Sequence, residues 1–248
     1  MKHPNTDITR TFRAYALKPL SIVAALALLA MALPHQAGAA NTPRVLPLNS
    51  SAYGKTYAEW SAEWNKWVLA LPVENHPFTD SPNIDFSAGQ SGQVWFLAAT
   101  FGTTERSLTL PQGTALFVAL LNTECSSLET EESGFHGDTE AEQAACAKFY
   151  SDHIIDLFLE IDGVPVKDIQ NYRFVSPQYT FTAPTPWIFG DVGGTGTSVS
   201  DGYYVMLSPL SKGQHTLHYG GSFHFSIAEG DEFDADFGID TTYHITVE

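Results

Sequence analysis

Residues Ala115 to Leu121 read Ala-Leu-Phe-Val-Ala-Leu-Leu, an apolar run with no polar residue in it. A strand with one wet face alternates apolar and polar side chains, so a run without alternation marks a central strand covered on both sides. The rest of the chain must supply those covers. Arg106 to Leu110, the turn Pro111-Gln112-Gly113 and Thr114 to Leu121 read as a hairpin. Val94 to Thr100 is a short apolar strand bounded upstream by Gly89 and Gly92. Ile155, Leu157, Leu159 and Ile161 alternate with Asp156, Phe158 and Glu160, and Asp162-Gly163 is a two-residue turn into Val164-Pro165-Val166. Further strands are expected near residues 172–175, 179–182, 203–207, 214–226 and 241–247.

Two segments break this rhythm. Thr56-Tyr57-Ala58-Glu59 is a capping box, and Tyr57, Trp60, Trp64, Trp67, Val68 and Leu71 then recur at helical steps until Pro72. That aromatic face is either a sugar-stacking platform or, the reading we adopt, a surface packed on a sheet. Thr139-Glu140-Ala141-Glu142 opens a second helix, expected to run to about Tyr150. Short strands with two helices and no βα alternation predict a mainly β fold, an antiparallel β-sandwich or jelly roll with two short helices packed on it. Residues 184–201, rich in Gly, Ser, Thr and Pro, read as a long binding loop carrying Trp187, Phe189 and Asp191.

The first 39 residues have a separate character. Lys2, Arg10, Arg13 and Lys18 precede an apolar stretch from Ile22 to Leu33, and Ala37-Gly38-Ala39-Ala40 supplies small residues for cleavage. This reads as a signal peptide, 1–39, because the apolar stretch is short of the roughly 20 residues that span a bilayer. Residues 40–52 are an extended lead-in and 53–248 a single β-sandwich domain. No later stretch approaches spanning length, so a secreted or periplasmic product with no transmembrane segment after cleavage is expected. Cys125 and Cys146 then enter an oxidising compartment and read as a disulfide, closing an acidic loop that contains Glu129, Glu131, Glu132, Asp138, Glu140 and Glu142. The 248 residues carry 12 Lys+Arg against 28 Asp+Glu, a net charge of −16 that excludes nucleic acid as partner.

Chemical motifs are sparse. Gly190-Asp191-Val192-Gly193-Gly194-Thr195-Gly196 is followed by neither lysine nor a helix, so it is no phosphate loop. Gly89-Gln90-Ser91-Gly92 lacks the spacing of a nucleophile elbow. There is no HExxH or CxxC. Asp231, Glu232, Asp234, Asp236 and Asp240 crowd ten residues, so Ca²⁺ at Asp231, Asp234 and Asp236 is weighed against a solvated acidic turn. Asn122 and Glu124 follow the central strand two residues apart and project to one side, a placement suited to binding or acid/base work. Arg106 offers a carboxylate clamp or an ion-pair partner.

Four histidines fall near the end: His215, His218, His224 and His244. A three-residue turn at Gly220-Gly221-Ser222 would set His218 opposite His224 with Cβ atoms roughly 5 Å apart, close enough for a shared metal ion or a proton relay with Glu124 as third group. One strand running through the glycines would instead hold the two roughly 20 Å apart.

Tyr53-Gly54 with Trp60, Trp64 and Trp67, Gly89-Gln90-Ser91-Gly92 before Val94-Trp95-Phe96-Leu97-Ala98, Pro111-x-Gly113 before Ala115-Leu116-Phe117, and Asn122-x-Glu124-Cys125 form a pattern with Pro209-Leu210 and Gly213-x-His215-Thr216-Leu217-His218. It resembles a family of secreted bacterial β-rich proteins, which implies an exported β-rich domain and no particular activity. Three functions are therefore carried forward. The first is binding of an extracellular polar ligand, a glycan above all, through Asn122, Arg106, Trp187 and Asp191. The second is an extracellular enzyme, metal-dependent or not, acting through Glu124, His218 and His224. The third is a structural envelope interaction module.

Overall fold

The computed structural model describes residues 45–79, 81 and 83–248. Residues 1–44, on which the signal-peptide reading and the start of the extended lead-in fall, lie outside them, as do Asp80 and Pro82. Among the described residues ten strands form two sheets, with two α-helices. Strands are β1 (Val94–Leu97), β2 (Gly102–Leu110), β3 (Ala115–Ser126), β4 (Ile154–Ile161), β5 (Val164–Pro165), β6 (Arg173–Val175), β7 (Tyr179–Ala183), β8 (Gly194–Leu207), β9 (Gly213–Phe225) and β10 (Ala235–Val247). The helices are α1 (Tyr57–Leu69) and α2 (Glu140–Asp152), and each opens on the capping box its sequence carries. The first sheet has the order β1-β3-β8-β6, with β7 following β6 along the same edge of β8. The second has the order β2-β10-β9-β4-β5. Pairing is antiparallel except at two places, where β1 lies parallel to β3 and β2 parallel to β10.

The run Ala115–Leu121 is the covered strand its composition demands. Leu116, Val118 and Leu120 meet Leu217, Tyr219, Tyr243 and Ile245 of the second sheet. Ala115, Phe117 and Ala119 meet Trp64, Trp67 and Val68 of α1. The aromatic helix face is thus core, tied down by Trp64 Nε1 donating to the Leu97 carbonyl at 2.9 Å and Trp67 Nε1 to the Ala88 carbonyl at 2.9 Å. The molecule is layered helix on sheet on sheet. A bulge between Ala119 and Leu121 shifts the alternation, so that Leu121 also faces the second sheet and Asn122 and Glu124 take the α1 side.

Three expectations are corrected. β2 and β3 are not a hairpin. The Pro111–Gly113 turn carries the chain from one sheet to the other, so Leu108 and Leu116 meet across the interior instead of side by side. Both arrangements bury the same faces, which is why the apolar pattern cannot separate them. Residues 194–201 belong to β8, a central strand, and not to a long loop. Its small residues fit close neighbours: a Cβ on Gly202 would stand 2.4 Å from the Asn122 Cα, and one on Gly196 3.1 Å from the Leu128 Cβ. Finally, β9 runs unbroken through Gly220 and Gly221. A Cβ on Gly220 would sit 2.1 Å from the Ile239 carbonyl oxygen, so the residue is glycine for close approach and not for a turn. The Asp162–Gly163 turn does form, with φ of 53° and 74° at its two residues.

Candidate functional site

The second half of β3 does not end at Leu121; it continues through Ser126, held against β8 in register Asn122 to Gly202 and Glu124 to Ser200. Asn122 and Glu124 therefore share a face inside the sheet. Asn122 Nδ2 donates to the Tyr204 hydroxyl at 2.8 Å, and Asn65 of α1 approaches the same hydroxyl at 3.5 Å. Burial pushes the Tyr204 phenol up to about 12.

Glu124 is buried, 9% exposed. Its Oε2 meets the Ser198 hydroxyl at 2.5 Å, and that hydroxyl also reaches the Cys125 carbonyl at 2.9 Å and the Tyr179 hydroxyl at 3.0 Å. Its other oxygen, Oε1, has no hydrogen-bond partner among the described residues. Desolvation raises the carboxyl to about 8, helped by the charge of nearby Glu129 and opposed by the Ser198 hydrogen bond. At neutral pH the group is mostly an uncharged acid. Glu129 is also buried, and burial raises it too.

Both carboxyls line a cavity of about 490 Å³. Its deep walls are Val68 and Leu69 of α1 and Ala119 and Leu120 of β3, with Asn65 and Asn122 as polar points between them. Phe101, Phe189 and Phe237 also line it, and at 62%, 44% and 40% exposure they form its rim. Phe101 and Phe237 meet edge to face at 5.3 Å, and Phe78 bridges from Phe189 at 6.1 Å to Trp64 at 6.1 Å. No lysine, arginine or histidine lines it among the described residues. The wall continues past β3 because Cys125 and Cys146 are disulfide-bonded, which ties α2, bearing Tyr150, to the strand that bears Glu124.

Other expected site residues lie elsewhere. Trp187 is 3% exposed and packs on Phe181 in the core under α1, so it offers no platform; Asp191 is exposed on the loop beside it. Among the described residues Arg106 neither clamps nor pairs with a carboxylate. Its guanidinium is buried and donates to the carbonyls of Ala98 at 2.7 Å, Pro77 at 2.8 Å and Thr79 at 3.3 Å, and to the Tyr243 hydroxyl at 3.2 Å. His218 and His224 are not opposed. They sit six positions apart on one strand, roughly 20 Å by strand rise, with intermediate exposure and half-shielded side chains. His218 pairs with Asp240 at 2.7 Å and His224 with Asp236 at 2.6 Å, across the β9–β10 ladder and remote from Glu124. Asp231 bonds His153 at 2.9 Å and Asp234 accepts from the Ile227 amide at 2.9 Å, so the acidic turn spends its oxygens separately. Among the described residues no three His, Cys, Asp or Glu side chains converge as metal ligands.

Sequence reasoning missed Glu129, grouped with the solvated acids of its loop, and Asn65. Asn65 carried a signal: an amide within a helix whose neighbours Trp64, Trp67 and Val68 are core.

Fold and cavity together define a helix-covered β-sandwich with an apolar pocket holding two buried carboxyls. No protein-family model and no curated protein matches the chain. Two solved structures show a faint likeness. PbICP-C in complex with falcipain-2 is 12% identical, with 63% of this chain and 100% of that chain covered, at a TM-score of 0.21. The solution structure of amebosin is 8% identical, with 59% of this chain and 96% of that chain covered, at a TM-score of 0.18. Scores this low assign neither fold nor ligand.

Proposed function

We propose that the chain is an exported binding protein that takes a small, mainly apolar molecule with one polar end into the Glu124 cavity. The observation that carries this is the Glu124 Oε1, unpartnered among the described residues, in a cavity walled mainly by aliphatic and aromatic side chains. A buried polar atom without a partner costs about 1–3 kcal/mol, and a ligand that bonds it recovers that cost. The cavity volume lies in the range of small-molecule sites. The glycan expectation rested on an aromatic loop, and Trp187 is core. The uncharged dye Nile red tests the reading: it should gain fluorescence on the protein at one-to-one stoichiometry. Thr100→Trp, which fills the cavity from its wall at the loss of the Thr100 hydrogen bond to the Phe78 carbonyl, should abolish the gain in a protein that still melts cooperatively. No gain in the wild type, or an equal gain in the variant, overturns it.

Export is supported by the leader-like residues 1–39 and by the disulfide. Among the described residues no helix is long and apolar enough to cross a membrane. Intact-mass measurement on exported protein should give a chain beginning near Ala40 and two hydrogens lighter than the dithiol; a retained Met1 overturns it.

A second reading keeps Glu124 as a general acid, because a carboxyl left protonated by apolar surroundings can donate a proton near neutral pH. It requires turnover that Glu124→Gln removes while ligand binding survives.

A further inference from the structure

Resting on the pocket reading, we infer that the polar end of the ligand is an amine, bound as an ammonium ion against Glu124 with its apolar body among the rim phenylalanines. Three observations converge. The cavity holds two carboxyls, Glu124 and Glu129, and no cationic side chain lines it among the described residues, so an anionic ligand would add a third acid with nothing to neutralise it. The unpartnered Oε1 is an acceptor, and an ammonium ion brings only donors. The rim and walls are rich in aromatic rings (Trp64, Phe78, Phe101, Phe189, Phe237), whose faces attract cations as well as apolar groups. The net charge of −16 draws cations toward the molecule over longer range.

The proton balance follows from the groups around Glu124. Among the described residues Glu129 beyond β3, the Tyr179 phenol and the Ser198 hydroxyl act on it, none of them cationic, and His136 acts in turn on Glu129. Ser198 has one hydrogen for two acceptors, the Cys125 carbonyl and Glu124. A proton on Glu124 resolves that competition, since the acid can donate to Ser198 while Ser198 donates to Cys125. When an ammonium ion enters, the Glu124 O–H bond breaks, its proton leaves to solvent, and the carboxylate accepts from the ammonium N–H and from Ser198. One proton is released for each amine bound. Amine affinity should therefore rise about tenfold per pH unit between pH 6 and pH 7.5 and level off above about 8, whereas a neutral ligand shows no such rise.

The experiment is isothermal titration calorimetry of the full-length processed protein with 3-phenylpropylamine and its uncharged analogue 3-phenylpropan-1-ol. Running each at pH 7 in phosphate and in Tris buffer counts protons through the difference in buffer ionisation enthalpy. The amine should bind at least tenfold more tightly than the alcohol and release close to one proton. In Glu124→Gln the amine should lose its advantage over the alcohol and its proton release. Equal affinities, or amine binding without proton release in the wild type, overturn the amine inference and leave the pocket reading standing. Failure of both probes to bind overturns the pocket reading itself. The wild-type proton count decides the matter even if Glu124→Gln does not fold.

Discussion

Glu124 makes folding depend on pH in an unusual sense for a carboxyl. Its folded value, about 8, lies above the ordinary value of 4.5, so between these the folded chain holds a proton that the unfolded chain has released. Stability is therefore fully present below about 4.5 and declines as pH rises toward 8. Urea midpoints of Glu124→Gln should exceed those of the wild type at pH 8.5, and the gap should close by pH 4.5; a gap independent of pH contradicts the assignment. Gly202 is the matching backbone requirement. Gly202→Ala puts a methyl 2.4 Å from the Asn122 Cα and should cost more than 2 kcal/mol in chemical denaturation. At this scale the sequence was half legible. Asn122 and Glu124 could be paired by their two-residue spacing, because parity along a strand is a local property. Glu129 could not: what separates it from exposed Glu131 and Glu132 is the chain path after the disulfide, and residue type carries none of that.

Arg106 shows how one element serves another. It lies on β2, yet it holds the carbonyls of Pro77 and Thr79, and the segment between them carries Phe78, a wall of the cavity. The rings of Phe86 and Tyr243 flank the guanidinium at 5.6 and 5.9 Å. Arg106→Met should leave those carbonyls unpaired, lower stability by about 3 kcal/mol and weaken Nile red binding by releasing Phe78. Full affinity in a folded Arg106→Met protein contradicts the anchoring role. Elements with a local code were readable from sequence: both helices with their capping boxes, and the Asp162–Gly163 turn. Where two pairings bury the same side chains, no local code exists. The Pro111–Gly113 turn satisfies β2 and β3 equally as a hairpin or as a crossing between sheets, and Gly220-Gly221 is the composition of a turn and also of a strand crowded by its neighbours.

For the whole molecule the disulfide fastens α2 to the sheet across 21 residues of acidic chain. Replacing both cysteines by serine should lower stability by about 3 kcal/mol by loop entropy and raise hydrogen exchange first in α2 and the Glu129 segment. Uniform acceleration across both sheets would contradict this local role. The order of strands in the second sheet has a further consequence. β10, latest of the strands in chain order, lies between β2 and β9 and hydrogen-bonds to both along its length. Until it arrives, β2 has no hydrogen-bonded neighbour in its sheet. The second sheet is therefore closed by the strand made last among the described residues, and a chain lacking residues 235–247 would leave β2 and β9 each short of a ladder.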